Sequence, residues 1–162
     1  MKTTILILLL ATNCSTLPHC GINNLVWSFG SKDVECQMET FGRVSPQLIP
    51  YVEDFRDDAI YYEAACWGTN YIRLVNNFSM PGFEDTVIGL CYPHIGVEIL
   101  RSYWDDATEW EKKALVYHEL GHCSLGLDHI QEHGIMLPSL TPPRDEHEWV
   151  RMVEQLFKKN ND

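Results

Sequence analysis

Residues 118–129 decide the fold and read His-Glu-Leu-Gly-His-Cys-Ser-Leu-Gly-Leu-Asp-His. They lie in and just after a segment, about 109–125, whose apolar pattern predicts a long helix. Because residues four apart project from one helix face, the imidazoles of His118 and His122 can reach a single metal ion. The carboxylate of Glu119 can accept a proton from water at that metal without binding the metal itself.

The residues after this helix offer a third metal ligand. Gly126 favours a left-handed helix end and a sharp reversal of the chain, and His129 follows three residues later. An imidazole at that position can turn back to the same metal, which would give the three protein ligands and open position of a hydrolytic zinc site. Asp128 and His133 remain alternative third ligands at this point.

In their order, these residues resemble the metzincin metallopeptidases, whose signature is H-E-x-x-H-x-x-G-x-x-H followed by a Met-turn. Here three residues, not two, separate His122 from Gly126, and Met136 stands where the Met-turn methionine is expected. Counting from the glycine selects His129, whereas counting from the first histidine selects Asp128. The resemblance implies zinc with the ligands His118, His122 and His129, Glu119 as general base, and Gly126 and Met136 as structural residues of the site.

Hydrolysis of peptide bonds by a zinc metalloendopeptidase is the activity that this resemblance implies. Metzincins bind substrate along an edge strand above the active-site helix, and residues 96–100 are the expected counterpart. Two other functions stay open: a non-catalytic zinc-binding or adhesion module, and a zinc hydrolase of a non-peptide amide. The intact Glu119 favours an enzyme, since a purely structural zinc site has no use for a base.

Outside this segment, the pattern predicts an α+β fold with a small twisted sheet, and the resemblance implies that this fold is of the zincin type. A capping box of Thr108 and Glu111 precedes the active-site helix. Spacing and turn signals predict the remaining helices and strands, which are a helix at 46–65, strands at 71–75, 86–91 and 96–103, and a final helix at 143–159.

Residues 1–13 have the pattern of a secretory signal, with Lys2 ahead of an apolar run of seven residues. Such a run is too short to span a bilayer, which needs about twenty residues. Cys14 follows in a context that resembles a lipoprotein signal, so a lipid anchor and ordinary cleavage are both open. We therefore expect residues 14–162 to form one exported domain that is secreted, periplasmic or anchored at the cell envelope by lipid.

Six cysteines are present, at positions 14, 20, 36, 66, 91 and 123. In an exported chain such a set predicts disulfide bonds, although spacing alone cannot give their pairing. No C-x-x-C occurs, which argues against a cysteine-type structural zinc site. For Cys123, which follows a predicted ligand on the helix, burial or a disulfide is expected rather than catalysis.

The formal net charge of -11 bears on the partners of the protein. An acidic surface repels phosphate backbones, and no cluster of Lys and Arg offsets it, so nucleic-acid binding is not expected. We expect a monomer whose partner is a protein or peptide substrate, with membrane contact only through a lipid on Cys14.

Overall fold

A computed structural model describes residues 36, 38–82, 86–130 and 133–158. All of these belong to one unit, Lys32–Asp162. The predicted signal at 1–13 and Cys14, the candidate site of a lipid anchor, lie outside the described residues. No helix within the described ranges is long and apolar enough to cross a membrane.

The described chain contains several helices and one small mixed sheet, which confirms the predicted α+β class. Two short 3-10 helices, Met38–Phe41 and Pro46–Leu48, flank β1 and lead into α1. The strands are β1 (Arg43–Val44), β2 (Tyr71–Val75), β3 (Gly89–Tyr92) and β4 (Gly96–Leu100). The helices are α1 (Ile49–Tyr61), α2 (Arg101–Asp106), α3 (Glu109–Leu125) and α4 (Glu146–Lys158).

The sheet has the strand order β1-β2-β4-β3. β2 pairs in parallel with β1 and with β4, whereas β3 pairs antiparallel with β4. The prediction that residues 96–100 form the edge strand was therefore wrong, because β4 has a partner on both sides. β3 occupies that edge, and the tight turn between Tyr92 and Gly96 sets its antiparallel register.

The predicted strand at 96–103 ends early, at Leu100, and Arg101 begins α2. The Leu100 N–H donates to the carbonyl of Ile88, the residue before β3 (2.9 Å). The helical continuation brings Trp104, which is buried, into edge-to-face contact with Tyr51 of α1 (ring centroids 5.1 Å apart). Burial of this large aromatic side chain outweighs the β propensity of the tyrosine at 103.

α3 crosses the core and matches its predicted bounds. Its first turn has the capping box: the Thr108 side chain accepts from the Glu111 N–H, and the Glu111 carboxylate accepts from the Thr108 N–H (2.7 Å). It ends at Leu125, and Gly126 caps it in the left-handed conformation with φ +68°. Nearly every side chain from Ala114 to Leu125 is buried, so neighbouring elements fix the helix on most of its surface.

The back of α3 packs against α1 and α4. Tyr117 contacts Phe55 of α1 and Trp149 of α4 edge to face, at centroid distances of 5.2 and 4.7 Å. Its hydroxyl donates to the carboxylate of Asp58 (2.6 Å). The apolar face of α4 therefore belongs to the core, and it packs against α3 at the residue before His118.

Two disulfides, Cys36–Cys66 and Cys91–Cys123, confirm that the chain uses its cysteines in pairs. The second joins β3 to α3 directly after His122. Cys14 and Cys20 lie outside the described residues.

Candidate metal centre

Three imidazoles converge at the end of α3. The Nε2 atoms of His118 and His122 are 3.2 Å apart, and the Nε2 atom of His129 lies 3.3 and 3.1 Å from them. His118 and His122 project from adjacent turns of α3, whereas His129 returns from the segment after the helix. The structure thus brings together the three histidines that the sequence singled out.

Backbone carbonyls orient two of these rings. His118 Nδ1–H donates to the carbonyl of Ile135 (2.8 Å), and His122 Nδ1–H donates to that of Leu127 (2.6 Å). A carbonyl can only accept, so each Nδ1 carries the hydrogen and each neutral ring presents a bare Nε2 lone pair. Carbonyl partners of this kind fix the tautomer of metal-binding histidines.

Desolvation favours the neutral form of all three rings, although only His118 is buried and His129 is exposed. Desolvation lowers the pKa of His118 to about 4, and it also lowers the pKa values of His122 and His129. Near neutral pH, the Nε2 lone pairs of His118 and His122 therefore face each other without a hydrogen to share. A cation at their centre would offset the repulsion that this arrangement creates.

The spacing of the three nitrogens fits a zinc ion. A tetrahedral ion with Zn–N bonds of about 2.0–2.1 Å holds its ligand nitrogens about 3.3 Å apart. The observed separations of 3.1–3.3 Å agree with this value. Imidazole is a preferred zinc ligand, and three protein ligands leave the fourth position open for a reacting group.

A widened turn after α3 accommodates the extra residue between His122 and Gly126. The carbonyl of Gly121 accepts from Gly126 N–H, five residues on, and also from Leu127 N–H, six residues on (2.9 Å). This looser turn lets His129 reach the cluster. Neither Asp128 nor His133, the two alternative ligands, belongs to the cluster in the described part of the chain.

The side chain of Glu119, which projects from α3, is buried under the edge strand β3. A Cβ atom placed on Gly89 of β3 would lie 2.5 Å from Glu119 Oε1, so the strand backbone passes directly over the carboxylate. Burial raises the pKa of this carboxyl group to about 8. A dication nearby would favour the ionised form and lower that pKa. The environment thus suits a group that exchanges protons near neutral pH.

Met136 lies in the turn that also anchors His118. Its side chain is buried, and its backbone carbonyl accepts from the N–H of Ile130 (2.9 Å). Met136 packs against Gly121 on the surface of α3. The turn therefore touches both the helix with two of the histidines and the segment with the third.

Three features of this site could not be predicted from residue types and their spacing. The carbonyls of Ile135 and Leu127 belong to the backbone, so no residue type reveals them. The covering role of β3 depends on strand order, which the sequence does not state. The disulfide Cys91–Cys123 could be predicted only in part, because the sequence shows both cysteines but not that they pair with each other.

A family model matches residues 73–160, more than half of the chain, from β2 through α4. The match includes all three histidines, Glu119 and Met136, and the family is described as "Putative phage metallopeptidase". No curated protein and no solved structure matches the chain. On the strength of the family match, which contains the whole of the histidine cluster, the protein belongs to this phage metallopeptidase family.

Proposed function

We propose that the protein is an exported zinc metalloendopeptidase of the metzincin type. The observation that carries the proposal is the convergence of three Nε2 atoms within 3.3 Å of one another on the helix that bears Glu119. His118, His122 and His129 hold the zinc, and Glu119 is the general base. Membership of the metallopeptidase family supports the reaction class.

The reaction divides between the metal and the chain. When bound, zinc supplies Lewis acidity, which polarises the scissile carbonyl and makes water easier to deprotonate. Glu119 accepts a proton from the attacking water, whose oxygen forms a bond to the carbonyl carbon. As the C–N bond breaks, Glu119 returns that proton to the leaving amine nitrogen. The carbonyls of Ile135 and Leu127 hold two ligand rings in place throughout.

The substrate binds along β3, which replaces β4 in this role. One side of β3 pairs with β4, and no described strand pairs with its other side. An extended peptide can add to such an edge through main-chain hydrogen bonds. Because Gly89 of β3 contacts Glu119, a peptide on this edge would lie close to the proposed base.

Export is supported by the disulfides and by the sequence of residues 1–13. Two disulfides in one small domain are typical of proteins that fold in an oxidising compartment. The apolar run behind Lys2 supports a secretory signal. The exported protein is a monomer whose partners are protein or peptide substrates.

The test compares the zinc-loaded protein with the variant Glu119→Gln at equal zinc content, on a mixed peptide library. The substitution keeps the size of the side chain but removes the base. We expect the wild-type protein to cut peptides and the variant to cut about a hundredfold more slowly or worse. If both proteins hold zinc and neither cuts a peptide, the peptidase proposal is wrong, and the non-catalytic module or the non-peptide hydrolase replaces it.

A further inference from the structure

β3 and α3 meet at two points that lie side by side. At the first, Gly89 of the strand covers the carboxylate of Glu119. At the second, two residues further along the strand and four further along the helix, Cys91 is bonded to Cys123. The first contact concerns the proposed base, and the second is a covalent bond.

The periods of strand and helix explain why both contacts form together. Residues 89 and 91 share one face of the strand and are about 6.7 Å apart along it. Residues 119 and 123 share one face of the helix and are about 6.0 Å apart along its axis. The two spacings nearly agree, so the strand lies along the helix in a fixed register.

The first contact cannot hold that register alone. Gly89 has no side chain with which to grip the helix, and Glu119 offers only a carboxylate to the passing backbone. β3 is four residues long and pairs with a described strand on one side only. The bond to Cys123, which is buried one residue after His122, is the covalent link between this edge and the helix that bears the ligands.

We propose that the disulfide Cys91–Cys123 is a positioning device for catalysis. It holds the substrate-binding edge at a fixed distance from Glu119 and from the histidine cluster. The inference rests on the proposed function, because β3 matters to catalysis only if the substrate binds there. Cys91 and Cys123 are positioning residues, since they act through β3 and Glu119 and not on the substrate.

The second disulfide provides a matched control. Cys36–Cys66 closes a loop with a sequence separation of 30, and Cys91–Cys123 one with a separation of 32. Loops of nearly equal length restrict the unfolded chain to nearly the same extent, so removal of either bond should destabilise the fold by a similar amount. Cys36 and Cys66 contribute no atom to the histidine cluster. A purely stabilising role would therefore give the two variants similar properties.

The experiment compares zinc-loaded full-length protein carrying Cys91→Ala/Cys123→Ala with protein carrying Cys36→Ala/Cys66→Ala. For each, Tm, zinc content, KM and kcat for a library-derived peptide, and hydrogen exchange of β3 amides are measured. We expect similar falls in Tm and full zinc content in both. The first variant should show a KM raised about tenfold or more, a lower kcat and faster exchange in β3, whereas the control keeps wild-type kinetics and β3 exchange.

Wild-type KM, kcat and β3 exchange in the folded first variant would overturn the positioning role, as would equal changes in both variants. If the alanine pair does not fold, the variant Cys91→Val/Cys123→Ala fills the space without a bond and is measured in the same way. Failure of both to fold while the control folds would assign the bond to folding and overturn the proposal. Wild-type protein that cuts no peptide refutes the proposed function instead.

Discussion

Met136 occupies the space that a side chain at Gly121 would need. The Met136 sulfur would collide with a Cβ built on this glycine, and the methyl group of Met136 is 3.2 Å from that Cβ position. Gly121 directly precedes His122 on α3, so the glycine lets the Met136 turn approach the helix between the two histidines. The same turn supplies the carbonyl of Ile135 that orients His118.

Substitution Gly121→Ala should therefore destabilise the protein. In an open helix interior this change would stabilise by about 1 kcal/mol. Here the new methyl group collides with a buried side chain, and overpacking of a core costs about 1–3 kcal/mol, so we expect a net loss of up to about 2 kcal/mol. Urea unfolding of the metal-free protein measures this loss. Zinc affinity should fall as well, because a displaced turn moves Ile135 away from His118.

The double variant Gly121→Ala/Met136→Ala tests the cause. Truncation of Met136 removes the colliding sulfur, so the two substitutions should be less harmful together than the sum of their separate effects. If the changes in the free energy of unfolding caused by the two substitutions simply add, the contact between residue 121 and Met136 does not explain the lower stability of Gly121→Ala.

The identity of the third ligand is open to direct measurement. His129→Ala should weaken zinc binding by more than about a hundredfold, because loss of even a supporting hydrogen bond behind a ligand costs 10- to 100-fold. Asp128→Ala and His133→Ala should change the affinity by much less, since neither side chain joins the cluster of described residues. A competition titration with a chelator measures all three. A larger loss in either of the latter variants would reassign the ligand.

Local signals in the sequence predicted α3 and most of its surroundings. The helix has its own start and stop in the capping box of Thr108 and in Gly126, and its histidine spacing follows from helix geometry. These properties depend only on residues close in the sequence, so they can be predicted without knowledge of the tertiary fold. His118 and His122 could be named for the same reason, whereas His129 was one of three candidates because it lies beyond the helix.

The position of β4 depended on information that a local pattern does not contain. Residues 96–100 read as a strand, and they form one, but their place between β2 and β3 is a matter of long-range pairing. The burial of Glu98 inside this strand gave no sequence signal either, because its partners Arg73 and Ser79 come from distant segments. Residues 96–100 were therefore correctly predicted as a strand but wrongly placed at the edge of the sheet.

Glu98 should make the fold sensitive to acid. Burial alone would raise the pKa of this fully buried carboxylate, but hydrogen bonds from Ser79, Arg73 and Tyr92 hold its pKa below the usual 4.5. A lowered folded pKa means that the stabilisation is complete above about pH 4.5 and is lost as pH falls through the folded value. Glu98→Gln should cost about 2 kcal/mol at pH 7, the typical contribution of hydrogen bonds to a charged group.

Urea unfolding at a series of pH values measures this effect. The wild-type protein should lose stability more steeply than Glu98→Gln below pH 4.5, because the variant has no proton to take up at this position. Parallel curves for the two proteins would show that another carboxylate governs the acid dependence.

Zinc should stabilise the fold, and its removal should leave the repulsion between the His118 and His122 lone pairs without a cation to offset it. The Nε2 atoms of His118, His122 and His129 lie 3.1–3.3 Å apart, and those of His118 and His122 carry no hydrogen because each Nδ1 donates to a carbonyl. A ligand that binds the folded state only, at free concentrations about 1,000 times its Kd, stabilises by about 4 kcal/mol. For a domain of this size that corresponds to a rise in Tm of about 10 °C or more.

Calorimetry with and without a chelator measures the rise in Tm. The variant His122→Ala retains two of the rings, and it should show a much smaller rise because a lost ligand weakens zinc binding. An equal rise in both proteins would place the stabilising ion elsewhere on the chain.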